Sequence, residues 1–294
     1  MPRPLALACL AASMLLVGSY VGLSRQLVSE LPVFLLAWLR FAIAALAMLP
    51  WLRRTRDEPA LTRADHGRLF AGSLFGNVGF SVCMLLGVAA TSALAAGVVM
   101  AALPPMVALL SFVVLREHIT GRVGVAIGCA AAGIAVLAAT SGSGDLATGH
   151  AIGYLLLVGA VACEATYVVL GARLTRVLAP HRISALINLW GLALMTPAGL
   201  WQARGFDFAA IDATTWSLLV YYALAASVVS VWLWMQGLRR IPASEAGVFT
   251  VLLPLAAAGV GIGWLGEPTQ PMHAVALALA LAGVLLATAP VRSR

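Results

Sequence analysis

Two charged residues lie inside long apolar runs of this sequence, and their types suggest the first chemistry to consider. Arg40 is in the second apolar run and Glu164 is in the sixth. An ionised side chain facing lipid costs about 3 kcal/mol or more, so each should face the interior of a helix bundle. A carboxylate there can bind a cation or carry a proton, and a guanidinium can bind an anion or join helices.

The two charges have different expected roles. For Glu164, handling of a substrate or a proton and a structural role with a buried partner both remain open. For Arg40, a structural role in tying helices together is favoured. Whether the two side chains form a pair is also left open.

Uncharged polar and aromatic residues in the apolar runs are further candidates for a substrate cavity. They are Tyr20, Asn77, Tyr167, Asn188 and Gln236. Glu117 and Glu267 instead stand at the ends of apolar runs, each just ahead of the next one. A carboxylate suits the positive N-terminus of a helix, so a structural role at a helix end is expected for both.

Signatures of catalysis and of metal binding are absent from the sequence. It contains no HExxH, no GxxxxGK[ST] and no EF-hand loop, and its five histidines are dispersed. We therefore expect no enzyme activity, no catalytic residue, no bound metal and no cofactor. Without a nucleotide-binding loop, any work across a membrane would draw on a gradient or be facilitated movement.

The composition places the chain in a membrane. It has 294 residues, of which 62% are hydrophobic and 10% charged, and its mean hydropathy is +0.99. Soluble domains carry about 25% charged residues. The net charge of +7 does not indicate a nucleic-acid partner, because nearly all of the arginines lie in short segments outside the apolar runs.

Ten apolar runs are long enough to span a bilayer, which takes about 20 residues. They predict an all-α integral membrane protein with ten transmembrane helices. The runs are residues 5–23, 32–52, 69–89, 93–115, 121–140, 151–171, 183–202, 214–236, 245–265 and 272–290.

The arginines predict the orientation. With a cytoplasmic N-terminus, fifteen arginines fall in inside segments and two, Arg25 and Arg204, fall outside. Loops rich in arginine and lysine stay in the cytoplasm. Both termini are therefore predicted to be cytoplasmic.

The stretch 91–140 recurs without a gap at 241–290. A shift of 150 residues places Pro104 on Pro254, Glu117 on Glu267 and Gly133 on Gly283. The two prolines lie in the middle of their runs, where proline kinks a helix, so both are candidate hinges. Matched broken helices in two halves of a membrane protein indicate a transport site.

Five spans in each half make the second half enter the membrane from the opposite side. The sequence thus predicts an inverted repeat, with a first half of residues 1–145 and a second of 146–294. Such repeats support alternating access to a site near the membrane midplane.

The repeated stretch resembles the paired EamA repeats of the drug/metabolite transporter superfamily. Residues 93–117 and 243–267 each have a small-residue helix with a central proline and a glutamate at the end, and a Gly-containing helix follows. Leu39-Arg40-Phe41 resembles the Arg-Phe common in that family's second helix. The resemblance covers essentially the whole chain.

The resemblance implies a multi-pass carrier of the bacterial inner membrane with a central cavity between two helix bundles. Such carriers often export amino acids, metabolites or toxic compounds. Two departures stand out: Arg116-Glu117 replaces the usual Gly-Glu, and Glu164 stands where the family often has tryptophan. The second favours a cationic or zwitterionic substrate, or coupling to protons.

The sequence therefore predicts a secondary transporter of small organic solutes that works outward by alternating access. The alternative is a flippase for a lipid or a lipid-linked sugar. The expected partners are a small-molecule substrate and the lipid bilayer, with a homodimer as one option and no nucleic acid.

Overall fold

The computed structural model describes residues 2–54, 61–116, 120–140, 145–174 and 178–288. Within these ranges all regular elements are helical. The helices are α1 (Arg3–Glu30), α2 (Val33–Ala47), α3 (Arg63–Ala90), α4 (Ala93–Met100), α5 (Leu103–Leu115), α6 (Gly121–Thr140), α7 (Asp145–Leu174), α8 (Pro180–Ala203), α9 (Ala213–Leu238), α10 (Leu252–Gly263) and α11 (Pro271–Thr288). A short helix at Ala243–Ala246 and a 3₁₀ helix at Gly247–Val251 lead into α10.

Seven of the described helices are long and apolar enough to cross a membrane, and the bent pair α4–α5 makes an eighth. Two further apolar helices are shorter, namely Val33–Ala47 and Gly247–Gly263. The protein is thus an all-helical, multi-pass membrane protein, as its composition predicts. The shorter helices correspond to two of the ten predicted spans.

Both candidate hinge prolines follow an interruption of their helix. Between Ala93–Met100 and Leu103–Val114 the chain bends by 42°, and Pro104 stands in the first turn of the second segment. Pro254 stands in the first turn of α10, directly after the 3₁₀ helix. Proline has no N–H to donate to the preceding turn and crowds that turn, so it favours the start of a new helical segment.

Two π-helical turns occupy corresponding places in the halves of the chain. One is Leu74–Gly79 in α3, and the other is Ala225–Val229 in α9. A shift of 150 residues superposes the two almost residue for residue. Such turns widen a helix locally and are frequent at functional sites.

The pattern of helix contacts stays the same when each helix is replaced by its counterpart in the other half. Helix α1 packs on α9 and α10, and correspondingly α7 packs on α3 and α5. Helix α2 packs on α9 as α8 packs on α3. The remaining extensive contacts are α2 with α8, α6 with α11, and α4 with α10. The first two pair each helix with its own counterpart, and the third pairs the two broken helices that correspond in the repeat.

Glycines allow the close approach of α6 and α11. A Cβ on Gly133 would lie 3.0 Å from the Ala276 carbonyl oxygen, and one on Gly283 would lie 3.1 Å from that of Ala126. Gly124 and Gly128 form a GxxxG motif in α6, which predicts helix packing. Within the described chain, however, both glycines face outward, and no atom lies within 4 Å of a Cβ built at either one.

Gly133→Leu should lower the melting temperature of the purified protein in detergent. The added side chain must displace the backbone of α11, and overpacking of this kind costs about 1–3 kcal/mol. Gly128→Leu is the matched control, since it makes the same substitution in the same helix without a contact. Equal melting temperatures for the two variants would contradict the packing described here.

Candidate functional site

A cavity of about 600 Å³ lies in the centre of the helix bundle. Six of the seven residues predicted to line a substrate cavity lie on its wall, together with the hinge candidate Pro104. The six are Tyr20, Arg40, Asn77, Glu164, Tyr167 and Asn188. The seventh, Gln236, is partly buried in α9 but is not part of the wall, and neither is Pro254.

The cavity reaches one end of the bundle. Met48, Pro180 and Leu238 belong to its wall and lie where α2 and α9 end and α8 begins. Pro180 and Leu238 are exposed, so the cavity opens there. We call this the arginine-rich end, because it carries Arg53, Arg54, Arg182, Arg239 and Arg240.

The cavity wall repeats across the two halves. With the shift of 150, Asn77 corresponds to Ser227 and Leu103 to Leu253, and all four side chains line the cavity. Gly76 with Ala226, Phe80 with Ser230, and Met100 with Thr250 are further pairs of this kind. In the earlier helices a shift of 147 relates Tyr20 to Tyr167 in the same way.

Aromatic side chains surround the Arg40 guanidinium. Its carbon lies 4.8 Å from the centre of the Phe41 ring and 5.6 Å from that of Tyr222. One terminal nitrogen donates to the Tyr222 hydroxyl at 3.5 Å, while Nε has no partner. Because the residue is only 4% exposed, ring faces supply much of the compensation for its buried charge.

The Glu164 carboxylate, by contrast, has no close partner. Among the described residues, no hydrogen bond and no ion pair within 4.0 Å involves it. Arg40 acts on it through space but is not bonded to it. Glu164 is half-buried and faces the cavity, so its charge is directed at whatever the cavity contains.

The two asparagines are held differently. Asn188 in α8 donates through Nδ2 to the Phe41 carbonyl oxygen at 3.0 Å, and its Oδ1 is buried without a partner. Asn77 lies in the π turn of α3. Beside it, a Cβ on Gly76 would lie 2.6 Å from the Tyr167 ring, so only glycine lets that ring lie against α3.

Several residues of the wall had no recognisable signal in the sequence. Ser13 and Ser230 bridge α1 and α9, where the Ser13 hydroxyl donates to the Ser230 carbonyl oxygen at 2.8 Å. Ser227 lies in the π turn of α9, and Trp234 lies one turn beyond Ser230. Serine and tryptophan are ordinary in membrane helices. Among these residues, only Ser227 could have been predicted to line the cavity, because it corresponds to Asn77 at a shift of 150.

Glu267 seals the end of the bundle opposite the arginine-rich end. Its two carboxylate oxygens accept hydrogen bonds from the backbone N–H groups of Ala93 at 2.6 Å and Leu94 at 3.0 Å. These are the first residues of α4, so the carboxylate caps a helix of the other half. Glu267 thus lies at a helix end, in line with the expected structural role, but the helix is α4 and not α11, the next one along the chain. Glu117 lies outside the described residues.

Other contacts reinforce this closure. Arg25 in α1 donates to the carbonyl oxygens of Val88 and Ala89 at the end of α3. The Trp264 indole N–H donates to the side-chain oxygen of Gln26 at 3.2 Å. Together with Glu267, these bonds connect the ends of α1 and α3, the start of α4 and the segment after α10.

Small residues fill the layer between this seal and the cavity. A Cβ on Gly97 would lie 2.7 Å from that of Ala257, and one on Gly18 would lie 2.2 Å from the Leu253 carbonyl oxygen. Helices α1, α4 and α10 therefore meet with almost no space between their backbones. Beyond the seal is a separate cavity of about 860 Å³, and the two cavities share no wall residue.

Known proteins resemble this chain along most of its length. The transporter YetK of Bacillus subtilis (strain 168), described as uncharacterized, is 32% identical over 279 residues, or 94% of this chain and 84% of its own. YyaM of the same organism, likewise an uncharacterized transporter, is 25% identical over 259 residues, or 87% and 84%.

A solved crystal structure shares the fold. It matches 98% of this chain and 97% of its own with a TM-score of 0.63, at 18% sequence identity.

A family model matches the chain twice. The model is that of the EamA-like transporter family, and it covers residues 4–139 and 151–289. The resemblance that the repeated proline and glutamate pattern indicates is thereby confirmed, and the chain belongs to the EamA-like transporter family.

Proposed function

We propose that this protein is a secondary transporter that exports small organic metabolites, such as amino acids or drugs, across the bacterial inner membrane. The observation that carries the proposal is the central cavity, which both halves line and which is open at one end and sealed at the other. A cavity with this arrangement is one of the two states that alternating access requires.

The proposed architecture is ten transmembrane helices in two inverted repeats, residues 1–145 and 146–294. Three observations support it: the family model matches twice, the helix contacts are preserved when the halves are exchanged, and the π turns correspond. Because the repeats have opposite orientations, exchanging their conformations would close the open end and open the closed one.

With both termini in the cytoplasm, the arginine-rich end is the cytoplasmic one. The cavity would then be open to the cytoplasm, ready to load a substrate for export. Glu267 and Arg25 would lie on the outer side and hold it shut. Outward opening requires these bonds to break and α4 to move away from α10.

Glu164 offers a route for coupling to a gradient. A carboxylate that faces the cavity can exchange a proton with each side in turn and so link proton entry to solute exit. The sequence has no nucleotide-binding loop, which agrees with a gradient as the source of energy. We propose no catalytic reaction.

The orientation can be tested with alkaline phosphatase, which needs the disulfide-permissive periplasm to be active. A fusion after Gly205, between α8 and α9, should be active. A fusion after Arg240, at the arginine-rich end, should be inactive at equal expression. The reverse pattern would place the cavity opening outside and contradict export from this state.

Transport can be tested in a bacterial host that lacks its own exporters. Expression should raise resistance to at least one class of amino-acid analogues or drugs, and inverted vesicles should accumulate the same compound. Glu164→Gln should abolish the dependence of that uptake on the proton gradient. Confirmed membrane expression without a phenotype for any compound class would favour the lipid flippase instead.

The seal can be tested by labelling from outside. Val98→Cys in α4, in a chain freed of its four cysteines, is buried and should react slowly with a membrane-impermeant thiol reagent. Adding Glu267→Gln removes the charge from the acceptor of the two hydrogen bonds at the start of α4. A hydrogen bond to a charged group contributes about 1.5–3 kcal/mol to stability. Labelling should then accelerate by about tenfold or more, because 1.4 kcal/mol corresponds to a factor of ten.

Glu30→Gln is the matched control for this experiment, since Glu30 is exposed at the end of α1. It should leave the rate of labelling unchanged. If Glu267→Gln also left that rate unchanged, the proposed seal would be wrong.

A further inference from the structure

Arg40 and Glu164, the charged residues of the cavity wall, do not follow the repeat that relates other wall residues of the two halves. With the shift of 147, Glu164 corresponds to Val17, and Arg40 corresponds to Ile187. Both counterparts also line the cavity. An apolar side chain thus fills the equivalent place in the other half. The packing of the helices therefore does not need a charge at either position.

An anion would find a poor partner in this cavity. Arg40 carries the one positive side chain among the wall residues, and it is 4% exposed. The Phe41 and Tyr222 rings lie against it, and the Tyr222 hydroxyl takes one of its N–H groups. Most of its surface is therefore already in contact with protein.

A cation would find a free partner. The Glu164 carboxylate is the one acidic side chain on the wall, it is accessible from the cavity, and it has no hydrogen bond or ion pair among the described residues. A partly buried carboxylate that is not bonded to a cationic side chain gains most from a cation that enters the same space.

The rest of the wall suits an apolar body attached to that cation. Tyr20, Phe80, Tyr167 and Trp234 line the cavity, and the faces of aromatic rings attract cations. Met14 adds a flexible thioether that adapts to different shapes. A volume of about 600 Å³ lies within the range that binds drug-sized molecules.

We infer that Glu164 determines specificity by binding the positive charge of an amphipathic organic cation, whose apolar body packs against the aromatic wall. The ligand class is a protonated or quaternary amine, or a similar onium ion, with an aromatic or aliphatic body. This inference rests on the proposed transport function, and it narrows the solutes from small organic metabolites in general to cations.

Tetraphenylphosphonium and tetraphenylborate provide a sharp test, since they share a shape and differ in the sign of their charge. Equilibrium binding of each radiolabelled ion is measured on purified protein in one detergent, with empty micelles subtracted. The wild type should bind the phosphonium saturably and more tightly than the borate. Glu164→Gln should weaken phosphonium binding at least tenfold, and Glu164→Asp should weaken it less.

Two controls separate recognition from folding. Glu30→Gln removes a carboxylate outside the cavity and should bind the phosphonium as the wild type does. The melting temperature of Glu164→Gln should equal or exceed that of the wild type, since the variant removes an unpaired charge. Undiminished phosphonium binding by Glu164→Gln, or tighter binding of the borate by the wild type, would overturn the assignment.

Failure of the inference differs from failure of the transport function. Transport of neutral or anionic solutes that persists in Glu164→Gln would overturn the cation assignment and leave transport intact. Binding of the phosphonium that depends on Glu164, without movement of any cation into proteoliposomes, would support the assignment and contradict transport.

Discussion

Hydrocarbon offers no hydrogen-bond partner, so any backbone group that a helix leaves unpaired must find one inside the protein or in a water-filled cavity. The interruptions of the described helices obey this constraint. The break before Pro104 and the π turns of α3 and α9 all border the central cavity. The irregular helix segments make room for the cavity. In turn, the cavity is a place within the membrane where irregular backbone is tolerated.

The same constraint explains the seal at the other end. Helix α4 begins near the membrane surface with free N–H groups, and Glu267 of the second half supplies the acceptors. A carboxylate at a helix N-terminus satisfies both the hydrogen bonds and the helix dipole. Because donor and acceptor belong to different halves, the hydrogen bonds that cap one helix also link the two halves of the chain. In the proposed outward-open state those N–H groups would need water as their new partner.

Sequence reasoning predicted the all-helical, multi-pass membrane architecture and six of the seven proposed cavity residues, and its errors have physical causes. The length of the apolar runs and the positions of the arginines can be interpreted from the sequence, because the same bilayer acts on every span. The partner of Glu267 depends on tertiary packing, and a shift within one chain cannot reveal it. A GxxxG motif such as that of α6 permits close packing without specifying which face of the helix is used, and here the contact is made at Gly133 instead. Gln236 is polar in an apolar run, yet helix rotation directs it away from the cavity. The π turns had no signal, since their residues are ordinary and only their place in the bundle is special.

Wall residues that correspond between the halves and the residue proposed to select the solute have different tasks, and this explains why they differ. Alternating access needs two halves that can exchange shapes, and corresponding wall residues such as Tyr20 and Tyr167 preserve that equivalence. Selection needs a group that meets the solute in both states, and one such group on the cavity wall is enough. A second carboxylate at Val17 would repel the first and add a second desolvation cost. Two charged residues, Glu164 and Arg40, depart from the repeat, and of these two only Glu164 has no hydrogen bond or ion pair among the described residues. In the proposed transporter the repeat therefore serves the movement, and this carboxylate serves the specificity.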